Sequence, residues 1–195
     1  LVRLAIESNN EWYVRHARRI LQERAAQQSL GEGFTGLSNF PTTRSALRLL
    51  WVTHVTGEIR REIIASPARA AESHAAWLAL DDPQLRSWSV RLFSENLDDT
   101  GDSSATVRAA FHNHLRDLAA STQHLSVRLA IASALQKQPV SQRWSILEAL
   151  LTHAEDATDH NLPLMYWYAM EPLADADPQR ALALAMSAGE NFPML

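Results

Sequence analysis

Residues 126–151 read SVRLAIASALQKQPVSQRWSILEALL. Within them Val127, Ala130, Ile131, Ala134 and Leu135 fall at i, i+3, i+4, i+7 and i+8, which places them on one face of an α-helix. Pro139 ends that run because it has no N–H to give to a helical ladder. A second helix is predicted from 141 to 154. Two helices joined by a short polar turn make a hairpin, the unit from which stacked helical arrays are built.

The same stretch contains a pattern that recurs upstream. Arg128 is followed two residues later by Ala130 and then by Leu135. Arg15 with Ala17 and Leu21, Arg44 with Ala46 and Leu50, and Arg86 with Trp88 and Leu92 repeat it. The arginines are 29, 42 and 42 residues apart. The two longer intervals match HEAT or armadillo units of about 40–47 residues. The first is too short for a full unit. The expected fold is all-α: a right-handed α-solenoid of HEAT/armadillo-like hairpins, one repeat domain over 1–195.

Helical periodicity and capping residues predict helices over 10–26, 43–55, 58–65, 67–80, 83–96, 104–120, 124–137, 141–154, 162–174 and 178–188. Leu47, Leu50, Trp51 and His54 form one apolar stripe, and Leu162, Met165, Tyr166, Ala169, Met170 and Leu173 another. Ser66-Pro67, Asp82-Pro83 and Asp177-Pro178 each set a capping side chain before a proline at the first helical position. Asn10 before Glu11 reads the same way, with an acid in the first turn. Gly57, Pro139 and the polar run 98–104 are stops. Residues 27–41 hold three of the six glycines and are expected to be a loop. No strand pattern competes.

Composition narrows the function. Apolar residues make up 46 % and charged residues 21 % of the 195, as in a packed protein. The net charge is −4, and the single lysine is Lys137, so the clustered basic footprint of a nucleic-acid binder is missing. Without cysteine, the chain has no disulfide, thiolate metal site, cysteine nucleophile or haem attachment. No apolar run approaches the roughly 18 residues of a membrane helix. A start at Leu1 without Met or a signal pattern suggests a segment of something larger.

Candidate chemistry is sparse. His112 and His114 stand two residues apart on a helix, about 200° around it, and cannot share a metal ion. His153, Asp156 and His160 would align at i, i+3 and i+7 on a continuous helix, a spacing that metal sites use. Asn161 and Pro163 mark a new helix start, however, so this cluster reads as a loop in which Asp159 or His160 caps. Serine-nucleophile, phosphate-loop and dinucleotide motifs are absent, and GEG at 31–33 follows no strand. No catalytic residue, cofactor or metal is expected.

The repeated Arg15, Arg44, Arg86 and Arg128 admit two readings. One is a charged ridge for an acidic partner. The other, favoured for a position held in register, is a structural ladder in which each arginine bonds an acid or a helix-end carbonyl of a neighbouring unit. Six tryptophans at helical spacing read as core, and Trp88 as a buried residue replacing the Ala17, Ala46 and Ala130 of other repeats. Trp12-Tyr13 and Tyr166-Trp167-Tyr168 are exceptions. Three successive aromatics cover about 200° of a helix, so at least one must face away from the core. These five are the candidate interaction surface.

NEWYVRHARRILQERAA (10–26), RSALRLLWVTHVTG (44–57), LDDPQLRSWSVRLFSEN (80–96), residues 126–151 and HNLPLMYWYAMEPLADADPQRALALA (160–185) resemble the HEAT portion of a planctomycete and verrucomicrobial family of large membrane-bound dehydrogenases. The resemblance implies a β-propeller before such a segment and a c-type cytochrome domain after it. It also implies a periplasmic or cell-envelope location and a parent protein that is an oxidoreductase. It brings no catalytic residue to this chain. The expected role is a non-catalytic scaffold between propeller and cytochrome, with exposed apolar ends at Trp12 and Tyr13 and at Phe192, Met194 and Leu195. A peptide- or protein-binding groove acting in trans is the alternative, and a metal-dependent enzyme the remotest reading. The expected partner is protein, with no nucleic acid and no membrane span.

Overall fold

The computed structural model describes residues 1–27, 42–97, 105–189, 191 and 192. Among them are eleven α-helices and two 3-10 turns, with no strand. The loop expected at 27–41 lies outside the described residues from 28 onward. So do the glycine pair at 31–33, the polar run 98–104, and Met194 and Leu195. No helix is long and apolar enough to cross a membrane among the described residues.

The helices pack into two compact units, 1–104 and 105–195. The first contains α1 (Val2–Glu7), α2 (Glu11–Gln27), α3 (Thr43–Val55), α4 (Glu58–Ala65), α5 (Pro67–Ala79) and α6 (Pro83–Leu97). Helix α1 packs on α2 and α3, where Ala5, Ala17, Leu21 and Val52 form an apolar cluster bordered by Val2. Helices α4, α5 and α6 pack on one another, and α3 joins them through α4 and α6. Asn10 accepts from the Trp12 N–H at 2.9 Å, Thr42 from Ser45 at 3.2 Å, and Asp82 from Gln84 and Leu85 at 2.9 and 3.0 Å. Each satisfies first-turn donors that have no partner inside the helix. Ser66 departs from expectation, because its side chain makes no capping bond. Gly57 ends α3 at φ 74°, a left-handed conformation that costs glycine nothing.

The second unit contains α7 (Ala105–Ser121), α8 (Leu125–Leu135), a 3-10 turn at Val140–Gln142, α9 (Trp144–Leu150), a second turn at Ala154–Thr158, α10 (Leu162–Ala176) and α11 (Pro178–Ala188). Helix α7 packs on α9, and α8 packs on α10 and α9. The stripe read from Val127 to Leu135 is wholly buried. Arg128 and Ala132 are buried too, so α8 is enclosed well beyond one face. Each fully buried Leu or Ile there contributes about 1.5–3 kcal/mol.

Pro172 interrupts the α10 hydrogen-bond ladder and leaves the Tyr168 carbonyl without its helical donor. The Gln136 amide supplies a replacement. With its NH2 toward that carbonyl, it reaches Tyr168 O and the Ala169 N–H at 3.2 Å each.

Helices α3, α4 and α11 have the bounds that periodicity predicts, and the others agree within a few residues except α9. Helix α9 is only seven residues long, flanked by 3-10 turns where a helix over 141–154 was expected. Helix α1 was not expected at all.

Candidate functional site

Buried and half-buried arginines share one habit in both units: a guanidinium turns to the carbonyl end of a preceding helix. Those carbonyls have no helical donor. Arg48 donates to Ile6 O and Ser8 O at 3.1 and 2.8 Å, in the last turn and at the C-cap of α1. Arg61 donates to Thr56 O at 2.7 Å, Arg86 to Leu78 O at 2.9 Å, and Arg143 to Gln136 O and Gln138 O at 3.1 and 3.0 Å. Arg128 donates to Thr122 O at 3.0 Å, beyond α7.

Arg128 anchors the largest such network. Its Nε and Nη2 donate to the two oxygens of Asp156 at 2.7 and 2.5 Å, a two-pronged pairing. Tyr166 from α10 donates its hydroxyl to Asp156 Oδ2 at 2.6 Å. Arg128, Asp156 and Tyr166 are all but completely buried, and Phe192 packs edge-on against Tyr166. Burial works against the charged form of Arg128, but bonded Asp156 and the nearby Glu155 carboxylate outweigh it and raise the guanidinium pKa. Burial, reinforced by Asp156, drives the Tyr166 phenol far above its ordinary value. The guanidinium therefore stays charged and the phenol neutral. Nothing in it is exposed to meet a substrate, so its chemistry is structural.

His153 faces Ala119 O through Nε2 at 2.7 Å, so that nitrogen carries a proton and cannot ligate. Asp159 accepts from the Asn161 and Leu162 N–H groups at 2.8 and 2.9 Å and caps α10, as the sequence reading allowed. Those two bonds lower its pKa. His160 is exposed. His112 reaches Ser145 Oγ at 3.1 Å, and burial followed by Arg116 lowers its pKa. Burial also lowers that of His114. No three His, Asp or Glu side chains gather as a metal-binding set among the described residues.

The first unit carries a cleft of about 520 Å³ between α2 and α3. Glu11, the first residue of α2, pairs with Arg48 near the middle of α3, and the Arg18 guanidinium lies over Trp51, 5.7 Å from the ring centre, further along both helices. The two helices therefore run parallel on this face. Val14, Leu47 and Trp51 give the cleft apolar walls; Arg15, Arg18 and Arg44 give it charge. Arg48 is buried and engaged at the inner edge, and Glu11 is the only acid in the lining among the described residues. Beyond Trp51 the aromatic surface continues. Trp88 of α6 meets Trp51 edge-on at 5.3 Å and carries Arg91 over its ring at 5.6 Å.

Several sequence expectations need correction. The repeated arginines do not share one environment: Arg15 and Arg44 are exposed, Arg86 is half-buried and Arg128 is buried. In α3 the carbonyl-bonding role belongs to Arg48, one turn after Arg44. Tyr166 cannot belong to an interaction surface, because its ring and hydroxyl are enclosed; Trp167 is half-buried and Tyr168 exposed. Trp12 and Tyr13 are exposed as expected, with Trp12 stacked on His16 at 3.8 Å. Phe192 is core, not a free apolar end, since Tyr166 covers it. Trp88 is half-buried. Leu85, Ser89, Leu92 and Phe93 occupy the buried face of α6, and the large ring sits at its border.

Sequence reasoning missed the cleft because Leu47 and Trp51 were assigned to a buried stripe. The α3 core is instead Ala46, Leu49, Leu50 and Val52. A visible signal was the Arg15/Arg18 pair beside Arg44 in two segments only 29 residues apart, too close for an intervening full repeat.

No family model, curated protein or solved structure matches this chain.

Proposed function

We propose that this chain is a non-catalytic helical-repeat scaffold that holds neighbouring protein domains. In the setting the resemblance implies, these are a propeller and a cytochrome c domain. The observation that carries the reading is the apolar surface on the first and last helices. Leu4 on α1 is 48 % exposed; Leu182 and Met186, one turn apart on α11, are 62 % and 73 % exposed. A self-contained repeat array needs polar outer faces at its terminal repeats. Apolar side chains in those places fit surfaces that another protein domain covers. The packing of alternate helices, α7 on α9 and α8 on α10, supports stacked HEAT-type pairs. The inward use of Arg48, Arg61, Arg86, Arg128 and Arg143 supports a structural role for those charges.

The test is site-specific photocross-linking in the parent protein, with benzoylphenylalanine at Leu4, at Leu182 and, as a control, at exposed Arg19. Strong adducts from Leu4 and Leu182 to other protein domains, and few from Arg19, are expected. Adducts no more frequent than at Arg19 contradict the scaffold. The α2–α3 cleft favours a second reading, a groove that binds a protein segment in trans.

A further inference from the structure

We infer that the cleft between α2 and α3 binds an acidic peptide segment of a partner protein. The inference rests on reading the chain as a protein-binding module. Arg15, Arg18, Arg44 and Arg48 line the cleft, and Glu11 is the one acid among the described lining residues. Glu11 is already paired with Arg48, whose other donors go to Ile6 O and Ser8 O. Arg15, Arg18 and Arg44 pair with no carboxylate among the described residues. Three cations therefore line one cleft without a carboxylate partner among the described residues, in a chain whose net charge is −4. Charge held this way repels itself until an anion arrives.

The repeat explains how they meet. Arg15 and Arg44 occupy the same position of the repeated pattern, and parallel packing of α2 and α3 brings both to one cleft. The guanidinium is a flat fork matched to the two oxygens of a carboxylate. Arg15 and Arg18 stand one turn apart on α2, about 4.5 Å along the axis, with Arg44 opposite on α3. Such a spread suits several carboxylates along a chain better than one compact anion.

The apolar walls favour the same occupant. Val14, Leu47 and Trp51 separate the charges, and Trp51 supports Arg18 from below. A free phosphate would leave that surface without a partner. A peptide carrying acidic and apolar residues together satisfies both. The volume lies within the roughly 300–1,000 Å³ of ordinary ligand clefts.

Fluorescence anisotropy with a labelled Glu-Leu-Glu-Glu-Leu-Glu peptide tests this on the full chain. A Gln-for-Glu version of the peptide and inorganic phosphate serve as comparison probes. The protein variants are Arg15→Gln/Arg44→Gln and a charge-matched control, Arg3→Gln/Arg116→Gln, whose arginines sit in exposed ion pairs elsewhere. The acidic peptide is expected to bind, more weakly as salt rises, and the Gln peptide to fail. The cleft variant should weaken binding by about tenfold or more while the control stays within about twofold, as for a local charge pairing rather than net charge. Equal weakening in both variants, no binding of the acidic peptide, or phosphate binding more tightly than the peptide would each overturn the proposal. Leu4 and Leu182 lie outside the cleft, so their cross-links report on the scaffold reading independently of this outcome.

Discussion

Arg128 and Arg44 occupy the same place in the repeated sequence pattern and meet opposite fates. Arg128 is 1 % exposed, fixed by both oxygens of Asp156 and by the Thr122 carbonyl. Arg44 is exposed on a cleft with Arg15 and Arg18, and no acid answers it among the described residues. The helices that carry them are alike. What differs is the element that arrives next. In the second unit a 3-10 turn after α9 delivers Asp156 to the guanidinium. In the first, Arg48 takes the structural role one turn later, with Glu11 as its acid, and Arg44 is left for the surface. A repeat position thus fixes where a charge starts, and its neighbours decide whether it becomes structure or a site.

The largest effect should come from breaking the buried side of this contrast. Asp156→Ala leaves a buried guanidinium with exposed Glu155 as its remaining acid and should cost about 3–5 kcal/mol in chemical denaturation. A loss below about 1 kcal/mol would show that Arg128 does not depend on its acid. Tyr166→Phe removes one hydrogen bond to the same carboxylate and should cost about 1.5–3 kcal/mol. A smaller loss would mean that the two-pronged pairing alone satisfies Asp156. In the first unit, Trp88→Ala should fall below the roughly 3–5 kcal/mol of a fully buried aromatic, because its ring lies at the core border. A loss in the full range would place that ring in the core after all.

The α10 cap sharpens the comparison through pH. Asp159 accepts two backbone N–H bonds, which set its pKa below the ordinary 3.8. Between that folded value and 3.8 the unfolded chain binds more protons, so stability rises with pH there. The cap's full contribution, about 1 kcal/mol, is present above 3.8 and is lost as pH falls through the folded value. Asp159→Ala should remove it at neutral pH and flatten the acid limb of the stability profile. An acid limb unchanged by the substitution would contradict the assignment.

Much of the fold was legible because long amphipathic helices repeat their stripe over several turns. Asn10, Asp82, Asp159 and Asp177 mark starts by chemistry that needs no tertiary context. Helix α1 escaped detection since six residues carry too little periodicity. Phe192 and Trp88 were misplaced because burial at a helix border or chain end depends on which neighbour covers the ring. The cleft was hidden for a related reason. Leu47 and Trp51 have core-like spacing, and only the parallel course of α2 and α3 makes them a wall. Asp156 was noticed within a polar cluster, but its partner is 28 residues away on another helix.

The most direct measurement is the urea unfolding of Arg44→Gln and Arg128→Gln side by side, the same substitution at the same repeat position. Arg44→Gln should change stability by no more than about 0.5 kcal/mol, as for a surface residue. Arg128→Gln should cost about 3–5 kcal/mol by leaving Asp156 buried without its cation. Equal losses in the two variants would contradict the division of one repeated arginine into a structural anchor and an open binding residue.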